Sequence, residues 1–463
     1  MNNHRLNILL SLATGILMLL LVLAGCSGIP VGEIKEEGPP EFPYQKIKEY
    51  IEAGDPDAAL EEYRGYLEKY PDSSENRLLL ARLFMAAGYR QEARLELDKL
   101  IGETGPAVDV LLAFSYLERL TGNPGKERQY LEDALAIDRN NPAVLAALGN
   151  LQLEAEEYTP AEISFMAALE ADLREPTALR GLGIVYLNQE KFEQAVDIFG
   201  RAISADPGNG MNYADRARAR AALKDRQGAV QDLNTAIELD PGFYWNYIDR
   251  GRHYLQLRTW EEADRDLTQA IAIDGDIFLA YVYRAGLYDR LDRILEAIDD
   301  YSRVLELNPE YYFAYAPLAV LHYTEENWKP AAEEFRQAYI HEQEEPSYAL
   351  LSALSLIQLG ESEGAKDYLS EALGSFPRDS WYSVIARYLI DPALEFRTIN
   401  LANKEQNKLN QGRMLFFIAS RLLLENRVET ALRYLLLVTE IERRDLPEKR
   451  IAESLLSRFG YED

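Results

Sequence analysis

A breaker residue recurs every 34 positions in this chain. Pro207, Pro241 and Pro309 each close an apolar stretch of helical length (AISADP, AIELDP, VLELNP). Gly275 stands where the next breaker of that series falls, and Pro71 and Pro377 lie on the same grid. Self-similarity at a fixed period of about 20–50 residues is the signature of a repeat architecture, in which each unit buries its apolar face only by stacking on its neighbours. A unit of this size cannot fold alone, so the chain must build an array.

With the breaker set at position 32, units start at 40, 74, 108, 142, 176, 210, 244, 278, 312 and 346. Position 8 is small (Ala81, Gly149, Gly183, Ala217, Gly251, Ala285, Ala319, Ala353), and position 20 is Ala in nine units, from Ala59 to Ala365. Position 24 is bulky, as in Phe165, Phe199, Leu267 and Tyr301, and position 27 is mostly Ala. Each unit therefore reads as two amphipathic helices joined by a short turn. Small residues at 8 and 20 let the two helices approach, and the large residue at 24 fills the space between units. Unit 176–209 is the most regular. Unit 108–141 departs most, with Ser115 and Glu127 at the small positions and TGNPG widening its turn. A distorted helix pair is expected there.

The register of Leu182, Gly183, Tyr186, Ala195, Phe199, Ala202 and Pro207, repeated with variation across about ten units, resembles the tetratricopeptide repeat (TPR) family. The resemblance implies an all-α fold, a solenoid in which antiparallel helix pairs wind as a right-handed superhelix with a concave face. It spans residues 44–379. Residues 380–463 are divergent: Asp391-Pro392 interrupts short helices, 412–445 recover a repeat-like pattern, and Pro447 to Phe459 carries Ile451, Leu455, Leu456 and Phe459 on one face. That last stretch reads as a capping helix closing the open end of the stack.

The first 25 residues stand apart from the repeats. A short polar start containing Arg5 precedes an apolar run from Ile8 to Val22, and Leu23-Ala24-Gly25-Cys26 comes next. The run is short for a membrane span and ends in small residues, as an export signal does. Its ending resembles the lipobox of bacterial lipoproteins. That resemblance implies that Cys26, the single cysteine of the chain, becomes an acylated N-terminus after residues 1–25 are removed. Ser27 resembles the class sorted to the outer membrane. Residues 26–43, rich in Gly, Pro and Glu, then read as a flexible tether.

Composition removes other functions. The 463 residues carry 49 Lys+Arg against 77 Asp+Glu, a formal net charge of -28. Binding a phosphate backbone requires clustered cations, so nucleic acid is not an expected partner. One cysteine and four histidines leave no zinc or redox framework, and no metal or cofactor is expected. Gly360-Glu361-Ser362-Glu363-Gly364 matches a hydrolase elbow, but it falls in the turn between two helices, whereas an elbow needs a strand before it. No nucleophile–base set is evident, and an enzyme is not expected.

The arginines divide by position. Position 7 is Arg216, Arg250 and Arg284 in three consecutive units, and those units alone carry Asp232, Asp266 and Asp300 at position 23. This co-occurrence predicts an ion pair between the two helices of each unit, one that sets register more than it adds stability. Groove positions carried over from the TPR resemblance give a candidate partner-binding set of Arg180, Asn188, Arg218, Trp245, Arg252, Gln256, Arg290 and Tyr323. Trp, Tyr and Arg are the residues most used as binding anchors, and Arg suits carboxylates. Alternatively, Arg218 and Arg252 merely balance Asp215 and Asp249. The expectation is a membrane-anchored scaffold or adaptor holding a protein or peptide in its groove on the periplasmic face of a bacterial envelope membrane. The alternative is a small-ligand or lipid-binding protein working with a solute-binding partner.

Overall fold

The computed structural model describes residues 46–461 apart from 48, 51–52, 54, 68–73, 379 and 444–445. The export signal, Cys26, the tether and Pro71 lie outside the described residues. Among the described residues there are 24 α-helices and no strand. They run in pairs on the 34-residue grid, for example Pro176–Asn188 with Phe192–Ala205 and Tyr244–Leu257 with Trp260–Ile273. The chain divides into two compact units at Gly228–Ala229.

Local sequence explains the helix starts. Asn141 Oδ1 accepts from the Val144 N–H at 3.2 Å, Glu175 accepts from the Ala178 N–H, and Pro142 and Pro176 occupy the first helical turn. A side-chain acceptor there satisfies an otherwise unpaired amide, and proline loses nothing by lacking one. The turn between the helices of a pair has a fixed conformation at position 15. Glu156, Glu190, Lys224, Arg258, Asp292 and Glu326 all have φ between 54° and 65°, and Gly88, Gly122 and Gly360 take the same place at φ 82°, 73° and 90°. A left-handed residue thus stops the first helix and redirects the chain into the second.

In the first unit, packing follows the small–large scheme. Phe165 is fully buried between two glycines. A Cβ on Gly149, in its own repeat, would lie 2.7 Å from the ring, and one on Gly181, in the next repeat, 2.2 Å from it. Phe199 meets Gly183 the same way, at 2.5 Å. Ser115 and Glu127, the irregular residues of unit 108–141, are both buried. Burial pushes the Glu127 carboxyl up to about 7.

In the second unit, one apolar cluster runs from Ala319 to Leu456 without a break near residue 380. The C-terminal helix Pro447–Arg458 rests on helices Tyr315–Thr324, Lys408–Leu424 and Val428–Thr439. It therefore lies across the inner surface of preceding repeats as well as against the last pair. Its N-terminal turn is clamped by charge. Buried Arg413 donates to Glu448 at 2.9 Å and to Glu345 at 2.7 Å, and its guanidinium lies over the Trp381 ring. The two carboxylates hold the arginine firmly protonated, although burial alone disfavours its charge.

Candidate functional site

In the second unit the first helices Tyr244–Leu257 and Phe278–Arg290 lie side by side. Arg252 and Gln256 are one turn apart on the first of them. Together with Leu255, Arg258, Tyr283 and Arg290 they line a depression of about 440 Å³. Three predicted residues, Arg252, Gln256 and Arg290, are thus brought to one place. Tyr283 and Arg258 join them from positions the groove pattern does not include: position 6 of the next helix, and the left-handed turn residue.

The depression is basic. Arg252 contacts Asp249, one turn back, at 3.1 Å. Arg290 is exposed and lies over the Trp260 ring at 5.6 Å, and Arg258 is exposed at the rim. Neither Arg258 nor Arg290 has a carboxylate partner among the described residues. Three guanidiniums against one carboxylate leave fork-shaped donors facing solvent, an arrangement suited to carboxylate oxygens. Trp245, at the start of the same helix, is half-buried against Tyr244, 5.3 Å between ring centres.

Other predicted residues fall elsewhere. In the first unit, Arg180 donates to Asp215 at 2.8 Å with its side chain only 14% exposed, so it ties two successive first helices together and does not face a groove. Arg218 shares that carboxylate at 3.5 Å but is more than half exposed. Asn188 is exposed at the end of its helix. Tyr323 departs from the expectation. It is 1% exposed, in edge contact with Trp328, beneath the C-terminal helix. Arg458 of that helix donates to the Thr324 carbonyl and to Glu326, so the helix covers the surface that Tyr323 was expected to line.

Two of the three position-7 arginines, Arg250 and Arg284, pair with the second helix of their own unit. Arg250 meets Asp266 with two bonds of 2.7 Å, and Arg284 meets Asp300 with two of 2.8 Å. Each also reaches the preceding repeat, Arg250 to Asn234 at 2.8 Å and Arg284 to Thr268 at 3.0 Å. Arg216 stands over the Tyr213 ring, and Asp232 is buried. A second depression, of about 650 Å³ in the first unit, is lined by Leu173, Arg174, Gly200 and Arg201 among others. Its two arginines are exposed, and each gives one N–H to a backbone carbonyl, Arg174 to Ala205 and Arg201 to Leu173. The GxSxG stretch connects helices Ser347–Gln358 and Ser362–Ala372, with Gly360 as the left-handed turn.

A family model of the tetratricopeptide repeat matches residues 50–110, on helix pairs whose 34-residue spacing continues along the chain. The chain is a TPR protein. A model of the ETO1 C-terminal domain also matches residues 129–322. Similar solved structures include YrrB, described as a TPR protein with an unusual peptide-binding site (21% identity, 40% of this chain and 95% of that one, TM-score 0.35). Others are pilF of Pseudomonas aeruginosa (17% identity, 46% and 97%, TM-score 0.42) and MamA (20% identity, 35% and 95%, TM-score 0.34). No curated protein matches the sequence. As a TPR protein, the chain has the fold of a protein-binding adaptor.

Proposed function

We propose that this TPR protein is a non-catalytic scaffold, anchored to a bacterial envelope membrane through acylated Cys26, that holds an acidic segment of a protein partner against Arg252, Arg258 and Arg290. One observation carries the reading: three arginines from two helices and a turn converge on one depression with Gln256 and Tyr283, while the chain as a whole is strongly acidic. Convergent guanidiniums bind carboxylates in a bidentate manner, and tyrosine adds rigid contact area at low entropic cost. The export signal and lipobox-like ending support the envelope location, and Ser27 supports the outer membrane.

Photocrosslinking in the native cell tests the site. A crosslinker replacing Gln256 is expected to give a discrete protein adduct, while one replacing exposed Glu261, at the start of the second helix, gives none. The adduct should vanish in the Arg252→Ala/Arg290→Ala variant with helical content unchanged. Equal adducts at both positions, or persistence in that variant, would overturn this placement. Adducts at neither would favour a small ligand.

A further inference from the structure

The C-terminal helix does more than end the stack. Its residues meet groove positions of repeats far upstream, Arg450 pairing with Asp289 and Arg458 donating to the Thr324 carbonyl, and Arg458 also reaches the turn residue Glu326. Its inner face is part of the core, with Ile451 and Ala452 fully buried and Leu456 nearly so, and Leu446 just before it is buried as well. Glu448 is fully buried on Arg413. Lifting the helix would expose four apolar side chains and leave a buried arginine short of a partner, so a binding partner does not displace it.

We infer that Pro447–Arg458 is a fixed, built-in occupant of the second unit's concave face, and that it ends the binding groove at Asp289. The inference rests on the proposed arginine groove and deepens it. Beyond Asp289 the chain itself covers the C-terminal end of the next first helix, Tyr315–Thr324. Upstream of it the arginine depression stays open. The wall also sets the charge at that end. Asp289 precedes Arg290 and would oppose an acidic ligand, but Arg450 neutralises it. Arg450 is thus a positioning and specificity residue supplied from 160 residues downstream. The two first helices that line the depression, each about 10 Å wide with its side chains, offer about 20 Å. That length matches about six extended residues at 3.3 Å each. The partner this fits is a short acidic peptide segment, read over about six residues.

Two measurements on the full-length protein test the inference. The first is hydrogen exchange. Amides of Pro447–Arg458 should be protected as strongly as those of Lys408–Leu424, and fast exchange would overturn the fixed occupant whatever the groove binds. The second is fluorescence anisotropy with labelled Glu/Asp-rich peptides of six and twelve residues. The longer peptide should bind less than about three-fold tighter. Arg450→Ala should weaken binding about five-fold at low salt, because one uncompensated charge is left beside the site. Asp289→Asn/Arg450→Ala should restore it. A ten-fold gain for the longer peptide, unchanged binding in Arg450→Ala, or no rescue in the double variant would each overturn the wall. Failure of the wild-type protein to bind either peptide would instead overturn the acidic-partner reading, with the exchange result standing by itself.

Discussion

Gly181→Ala is the sharpest test of the packing scheme. On an exposed helix this change is stabilising by about 1 kcal/mol, because alanine is the better helix former. Here the new Cβ would lie 2.2, 2.5 and 2.8 Å from three atoms of the Phe165 ring. Ordinary carbon contacts are about 3.5–4.0 Å. The Cβ direction of Gly149 meets the same Cε1 and Cζ atoms, at 2.7 and 2.9 Å, so the ring fills the space that both glycines leave. Overpacking costs about 1–3 kcal/mol, and a fully buried ring that the new Cβ meets at three atoms belongs at the top of that range. After the helix gain, the net loss is about 2 kcal/mol. With a urea m-value of about 2 kcal/mol/M the unfolding midpoint falls by about 1 M. Gly286→Ala is the control, since its Cβ would meet only the Tyr301 hydroxyl at 3.9 Å, and it should keep or raise the midpoint. Urea unfolding followed by circular dichroism, with hydrogen exchange locating the loss in the first unit, reads both. Phe165→Leu should cost less in the Gly181→Ala background than alone. A Gly181→Ala midpoint at or above wild type would refute the overpacking argument.

Turn strain, buried carboxyls and the lipid anchor each give a further expected outcome. Glu190→Gly should raise thermal stability by up to about 1 kcal/mol, because its φ of 59° strains a residue with a Cβ and suits glycine; Gly122→Ala should lower it. Burial raises Glu127 and Glu175 to about 7. The folded state then binds more protons than the unfolded one between about pH 4.5 and 7, so stability falls as pH rises through that window. Glu127→Gln should flatten the fall in a melting-temperature series from pH 5 to 8. Cys26→Ser should abolish fatty-acid labelling and move the protein from the membrane to the soluble fraction, since one thiol carries the proposed anchor.

The paired helices, their boundaries to within a few residues and the buried small positions were legible because a repeat states the same packing problem many times. The Arg250–Asp266 and Arg284–Asp300 pairs were legible for the same reason: both partners appear and disappear together. The left-handed turn residue was hidden. Gly88, Gly122 and Gly360 mark it on the grid, but Glu156, Lys224 and Asp292 take the same φ with side chains that read as ordinary solvated charge. Arg258 and Tyr283 were missed at the site because neither occupies a usual groove position. Tyr323 was misplaced because the groove pattern sees one repeat at a time. What covers it is the C-terminal helix, whose Arg458 bonds the carbonyl of Thr324 across 134 residues, and no period encodes that contact.

Charge explains why the site must work at short range. At about 0.01 M salt the Debye length is about 30 Å, so an acidic partner meets the field of the whole molecule, which is repulsive at a net charge of -28. At about 0.15 M it is about 8 Å, and the partner feels mainly the arginines it touches. Association with an acidic partner should therefore speed up as salt is raised through this range, while dissociation also speeds up because the local ion pairs weaken. Stopped-flow kinetics across that range separates the two effects. An association rate that falls steeply with salt would mean that attraction is set by a larger basic surface than the Arg252–Arg258–Arg290 depression, and the site would have to be sought elsewhere. A rate that rises identifies a partner recognised by bidentate contact after encounter, which is what three guanidiniums in an acidic molecule can supply.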